Sequence, residues 1–278
     1  MTVDLRAAGA ARATVPRSTF RPELHAIRGL AITLVVFFHV FGHGRVSGGI
    51  DAFLAISGFL MTLSIARRIE DGSLNLASYL ARLARRLLPP VLVVLAAVAV
   101  AGYLWTPVTQ RTQLIREMLA TLFYRENWEL IASQLDYAAA GPSTSPLQHF
   151  WSLSVQGQFY LLWFLLLASG AWLGRRLGWS VRTSVLAAVT VATVGSFLWH
   201  TLWLTHDQQV AYLHTGGRIW ELGLGGLVAL LAPQVSAGAR TRVVFGWVGV
   251  ALLVSCGFVL DGGALFPGVW ALWPVGGV

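Results

Sequence analysis

The sequence contains no lysine at all, a single cysteine (Cys256) and few charged residues, which make up 12% of its 278 positions. A lone cysteine excludes an intrachain disulfide and any thiolate metal site. Soluble domains carry about 25% charged residues and about 45–50% apolar ones; here the apolar share is 56% and mean hydropathy is +0.66. So little charge cannot cover a water-soluble particle of this size, and so much apolar surface is incompatible with disorder. No P-loop, HExxH, CxxC or GxGxxG pattern occurs, which removes nucleotide-hydrolysing, metalloprotease and dinucleotide-binding readings. What remains is an all-α polytopic membrane protein, a bundle of transmembrane helices set in a lipid bilayer.

The net charge of +8 comes entirely from arginine. These residues form no patch of the kind that binds nucleic acid; they fall between apolar runs. Runs occur at 24–41, 50–65, 87–105, 150–173, 185–204, 211–232, 243–260 and 264–278, which predicts eight spans, the last of them incomplete. Residues 1–20 read as a polar cytoplasmic tail without the apolar core of a secretory signal, and residues 21–278 as the membrane domain. With the N-terminus inside, the inner segments hold fifteen arginines and the outer ones five (Arg45, Arg111, Arg116, Arg125, Arg218), a clear positive-inside asymmetry. The stretch 113–135 in the long outer connection has helical spacing and mixed charge, which suits an interfacial or re-entrant helix.

Ionisable groups inside a span cost about 2.5–3.5 kcal/mol each on insertion scales and need a reason. Arg28 and His39 lie eleven residues apart, so a helix brings both to one face about 16 Å apart. They read either as a snorkelling arginine with a hydrogen-bonded core histidine, or as a functional pair. Asp51 opens the second span near the level of His39. It either fixes the imidazole tautomer or caps its own helix. Gln156 and Gln158, with Ser152 and Ser154, either line a polar cavity or serve helix packing. Arg218 and Glu221 form an i, i+3 pair. Arg82, Arg85 and Arg86 at the inner face serve topology or bind an anion, since planar guanidinium groups suit phosphate.

Five blocks resemble the acyltransferase-3 family of integral-membrane O-acyltransferases, which modify bacterial polysaccharides and related glycosides. They are Arg-Pro-Glu-Leu-His-Ala-Ile-Arg-Gly-Leu (21–30) running on to His39, Gly-Gly-Ile-Asp-Ala-Phe-Leu-Ala-Ile-Ser-Gly-Phe-Leu (48–60), Arg-Leu-Ala-Arg-Arg-Leu-Leu-Pro (82–89), His-Phe-Trp-Ser-Leu-Ser-Val-Gln-Gly-Gln-Phe-Tyr (149–160) and Arg-Ile-Trp-Glu-Leu-Gly-Leu-Gly-Gly (218–226). The resemblance implies an acyl-CoA donor, usually acetyl-CoA, at the cytoplasmic face and a carbohydrate hydroxyl as acceptor outside or at the membrane. No bound cofactor is expected. By position, Arg28 and His39 match the family's Arg/His motif and Arg82 and Arg85 its arginine motif; Asp51, Gln158, Arg218 and Glu221 match further signature positions.

One departure is Gln156, where the family commonly has Glu, with Gly157 often a second Glu. A neutral amide cannot take over a carboxylate's role, so acid–base chemistry falls to His39, as general base or as a transient acyl carrier, supported by Asp51 or Glu221. Arg218 or Gln158 would meet the oxyanion, and Arg82, Arg85, Arg86 and Arg28 the CoA phosphates. The family bundle has about ten helices, and some members append an extracytoplasmic hydrolase-like domain. The resemblance thus predicts a chain truncated at its C-terminus, in a bacterial cytoplasmic membrane. The rival reading from another class is a transporter or flippase for a glycan, which also suits polar groups at mid-membrane.

Overall fold

The computed structural model describes residues 22–41, 47–133, 145–203, 206–234, 236–261 and 265–278. The expected tail at 1–20, Arg21, Arg45 and the middle of the long connection fall outside them. The described residues form helices and no strand. Among the described residues, six helices are long and apolar enough to cross a bilayer: α1 (Pro22–Phe41), α2 (Gly49–Glu70), α3 (Leu76–Trp105), α6 (Phe150–Arg176), α7 (Val181–Trp203) and α10 (Ala239–Val259). The remaining helices, all shorter, are α4 (Val108–Leu122), α5 (Glu126–Ala132), α8 (Gln208–Leu213), α9 (Ile219–Leu231) and α11 (Leu272–Gly276).

Proline at the first position of α1 costs that helix nothing, because its missing N–H has no helical partner there. Ala31, Leu34 and Phe38 form the buried stripe of α1, while Ile32, Val36 and Val40 are exposed. α2 is the most enclosed of the crossing helices and packs most extensively against α9. Glycines permit that crossing. A Cβ on Gly58 would overlap the carbonyl of Leu222, and one on Gly225 the carbonyl of Ala55, so the two backbones touch as small-residue helix pairs do in lipid.

α3 begins eleven residues before the expected start of its span, because the arginine-rich stretch 76–86 is helical too. Asn75 caps it by accepting from the Ser78 amide at 2.8 Å. Thirty residues make a helix of ~45 Å, long enough to protrude beyond a bilayer. α4 then doubles back along α3: Leu114 packs against Gly102, and the Tyr124 hydroxyl donates to the Leu87 carbonyl at 3.3 Å. The stretch expected to form one helix over 113–135 is therefore two. α4 ends in a Schellman motif, with the Arg125 amide on Ala120 O and the Tyr124 amide on Thr121 O. Tyr124 occupies the left-handed position (φ 56°) usually given to glycine. It is held there at both ends, because its own carbonyl accepts from Gln158 Nε2 at 2.6 Å.

Two of the eight expected spans are not continuous. The sixth is α8, a 3-10 turn (Thr215–Arg218) and α9. His214 stabilises the break by accepting the Gly216 amide on Nδ1 at 3.0 Å. Irregular backbone at membrane depth is tolerated when protein covers it, and Thr215, Gly217 and Arg218 are buried. The last expected span shows a 3-10 turn (Val269–Ala271) followed by α11, with residues 262–264 outside the described set.

Candidate active site

Two cavities lie along α1, α2 and α6. The first has a volume of about 430 Å³ and is lined by Arg28, Arg68, Arg82 and Arg86 together with Ser57, Ser64, Tyr79 and Tyr160. No acidic side chain lines it among the described residues. Arg82 and Arg86, four apart, share one face of α3. Arg28 lies over the Phe53 ring at 4.7 Å, and its buried Nε has no hydrogen-bond partner among the described residues. Unbalanced guanidinium groups around a cleft suit a polyanion such as a phosphate ester. Arg85 is not part of this lining; its Nε donates to Ala81 O at 3.2 Å. Arg68, which the sequence shows only as an inner-face charge, takes the place expected of it.

The second cavity, of about 410 Å³, is lined mainly by aliphatic side chains of α1, α2 and α6. Its polar groups are His39, His149, Ser152 and Gln156. The His39 Nδ1 lies 2.7 Å from Val35 O. A carbonyl can only accept, so Nδ1 carries the proton, and in the neutral ring Nε2 is left as the basic nitrogen. His149 stands edge-on to His39, ring centroids 4.7 Å apart. Burial, and then the neighbouring His39, lower the His149 pKa from its ordinary value, which favours the neutral imidazole.

The cavities meet at Gln156. Gln156 Nε2, from the histidine cavity, donates to Ser57 Oγ, from the arginine cavity, at 2.9 Å. Arg28 and His39 thus serve one cavity each, on one helix face, and Gln156 stands between them.

The other expected site residues lie elsewhere. Asp51, expected beside His39, is instead in a buried cluster with Arg218 and Glu221. Arg218 Nη1 donates to Asp51 Oδ1 at 2.9 Å and to Glu221 Oε1 at 3.1 Å, its Nε donates to Tyr212 O at 2.8 Å, and its guanidinium lies against the Trp151 and Tyr212 rings. None of the three lines either cavity. The reason is helical: Ile50 points to the histidine cavity, so Asp51, one residue or about 100° on, points to α9. Gln158 is not in the histidine cavity either. Its oxygen accepts from Trp128 Nε1 and Thr215 Oγ1, and its nitrogen donates to Tyr124 O and Asn127 Oδ1. Nothing is left over for an oxyanion.

The sequence reading missed His149, which belongs to the histidine cavity, and a buried carboxylate pair on α4 and α5. Glu117 accepts from Gln113 Nε2 at 3.0 Å and from the Ser145 hydroxyl. Glu126 accepts from Thr121 Oγ1 at 3.3 Å. Burial first, and then the charge of Glu117, push the Glu126 carboxyl up to about 8 from 4.5. A carboxyl whose pKa is raised on folding stabilises the fold below its unfolded value, and that stability is lost as pH rises towards the folded value. The wild type should therefore lose thermal stability steadily between about pH 4.5 and 8, and Glu126→Gln should flatten that slope. Melting curves in detergent across this range provide the check.

The comparisons agree with this architecture. A family model described as an acyltransferase domain matches residues 21–277. The chain belongs to the acyltransferase-3 family. Among curated relatives, O-acetyltransferase OatA of Staphylococcus aureus strain NCTC 8325 is 29% identical over 217 residues, covering 77% of this chain and 35% of the relative; OatA of strain COL aligns with the same figures. The chain thus spans about a third of the length of the curated relatives it matches. No solved structure matches it. Membership, together with six apolar helices, makes this acyltransferase-3 chain a multi-pass membrane protein.

Proposed function

We propose that this chain is the membrane core of an O-acetyltransferase, moving an acetyl group from acetyl-CoA to a carbohydrate hydroxyl. The observation that carries the reading is the end-to-end meeting of an arginine cavity and a histidine cavity. CoA is a polyanion with a long flexible arm ending in the thioester. Arg28, Arg68, Arg82 and Arg86 suit its phosphates, and the arm would pass the Gln156–Ser57 contact so that the thioester reaches His39. His39 Nε2 then removes the proton of the acceptor hydroxyl as general base. The oxygen attacks the thioester carbonyl, the carbon–sulfur bond breaks, and the thiolate takes the proton from His39. The relatives named O-acetyltransferase support the acetyl group and the oxygen acceptor.

The fifteen-to-five arginine asymmetry supports an inner-membrane orientation with the N-terminus and the arginine cavity in the cytoplasm, where acyl-CoA is found. In that frame Arg28, Arg82 and Arg86 bind donor, and His39 serves the outer half. Asp51, Arg218 and Glu221 act on this site through the packing of α2 on α9.

The donor assignment is tested by Arg82→Gln/Arg86→Gln. Removing two charge-assisted phosphate contacts, each worth about 1.5–3 kcal/mol, should raise the KM for acetyl-CoA by two orders of magnitude or more while kcat changes little. Free CoA thiol released by the protein in nanodiscs gives both constants. An unchanged KM would remove CoA from the arginine cavity.

A further inference from the structure

The arginine cavity has a neighbour. A smaller cavity, of about 360 Å³, is formed by the last turns of α2 and the connection to α3, and the two share Leu60, Ser64 and Arg68 as a common wall. The smaller one adds Leu63, Arg67, Asp71 and Ser73. Its chemistry differs from that of the arginine cavity, whose lining has no acidic side chain among the described residues. Here Asp71 and Arg67 interact electrostatically, beside the hydroxyls of Ser64 and Ser73. Arg68 is half-buried on the shared wall, and its guanidinium makes no hydrogen bond or ion pair among the described residues. Its charge is therefore left for an anion at the boundary between the two spaces.

We propose that the smaller cavity is the nucleoside subsite of the donor, with Arg68 on the shared wall reading the 3′-phosphate of CoA. This rests on the acyl-CoA reading above and adds a selectivity to it. Ligand sites measure about 300–1,000 Å³. CoA carries a diphosphate, a phosphorylated nucleoside and a long arm, too much for the arginine cavity of about 430 Å³ alone. With the diphosphate on Arg28, Arg82 and Arg86, the ribose joined to it falls at the shared wall. The 3′-phosphate on that ribose then meets Arg68, whose planar fork suits a phosphate. The rest of the nucleoside is uncharged and has both donors and acceptors. A lining of cations alone would serve it poorly, whereas the Asp71 carboxylate can accept from its amine or hydroxyl and the two serines can do either. Such a polar group also needs a place at the end of a crossing helix rather than along its length, which is where Asp71 and Ser73 lie.

The test is calorimetric titration of the full chain in nanodiscs with CoA, dephospho-CoA (no 3′-phosphate) and 4′-phosphopantetheine (no nucleotide). A charge-assisted phosphate contact is worth about 10–100-fold in affinity, so wild type should bind CoA that much more tightly than dephospho-CoA. Arg68→Gln should reduce the preference to less than about threefold, and Arg68→Lys should keep part of it. Arg82→Gln/Arg86→Gln should weaken all three ligands and leave the preference intact. Ser73 lines only the smaller cavity, so Ser73→Trp should weaken CoA and dephospho-CoA alike by about tenfold, as for two lost hydrogen bonds, with 4′-phosphopantetheine within twofold of wild type. Four results overturn the subsite while leaving CoA as donor: wild type binding CoA and dephospho-CoA equally, Arg68→Gln keeping the full preference, Arg82→Gln/Arg86→Gln abolishing it, or Ser73→Trp binding CoA as wild type does. Wild-type protein that binds none of the three overturns the donor reading and the subsite with it.

Discussion

Replacing His39 by alanine should lower acyl transfer by about 10²–10⁴-fold, the usual contribution of a positioned general base, without unfolding the protein. The separation of the two effects follows from where the side chain sits. His39 is exposed on α1, its hydrogen bond to Val35 O lies within its own helix, and it shares its cavity chiefly with aliphatic neighbours. The apolar packing of α1 on α2 runs through Ala31, Leu34 and Phe38 together with Ala52, a different stripe of the helix from His39. Thiol release from acetyl-CoA should therefore collapse while the melting temperature stays within a few degrees of wild type. A variant that is folded and fully active would take His39 out of the mechanism and leave the histidine cavity without a base.

The second large effect concerns stability. Arg218→Met should destabilise the fold by about 3–5 kcal/mol, the range seen when one partner of a buried ion pair is removed. Arg218 is fully buried and its two carboxylate partners are no more than 1% exposed, so neither Asp51 nor Glu221 can turn to water when the guanidinium goes. The same side chain also holds the carbonyl of Tyr212 and packs on two aromatic rings across the helix break. Lysine would not substitute well, since a point charge cannot bond two carboxylates and a backbone carbonyl in three directions. Denaturation in mixed micelles should show Arg218→Met far less stable than wild type. The triple change with Asp51→Asn and Glu221→Gln should recover part of the loss, because the stranded charges are then gone. No recovery would mean that ring packing, rather than charge, is what Arg218 supplies.

The crossing helices were readable because a bilayer demands long apolar runs and the sequence has them. The start of α3 was not, because helix and apolar run are different things: residues 76–86 are helical but arginine-rich, so hydropathy places the boundary at Leu87. The broken sixth span hid for the opposite reason. Thr215, Gly216 and Gly217 are mild enough not to interrupt an apolar window, yet the pairing of Arg218 with Asp51 turns the chain there. That Arg28 and His39 share one face of α1 was legible from helical spacing, whereas a functional role for them came only from the family resemblance. Some errors could have been avoided with the same arithmetic. Gln156 and Gln158 are about 200° apart on α6, so they could not both face one cavity, whereas His149 and Gln156, two turns apart, could. Others could not be seen at all. That Arg68 rather than Arg85 completes the arginine cavity depends on how α2 and α3 meet after the turn at Gly72, and that Glu117 and Glu126 are buried depends on α4 folding back on α3.

The bond between Gln156 and Ser57 has a bearing on bioenergetics. A primary amide and an alcohol do not titrate in the physiological range, so this pair carries no charge, unlike the chains of acids and histidines in pumps. Glutamate at position 156 would install such a stepping stone between the arginines and the imidazoles. With glutamine there, an acetyl group moving between the two cavities, as the proposed function requires, would pass no group able to gain or lose charge at this point.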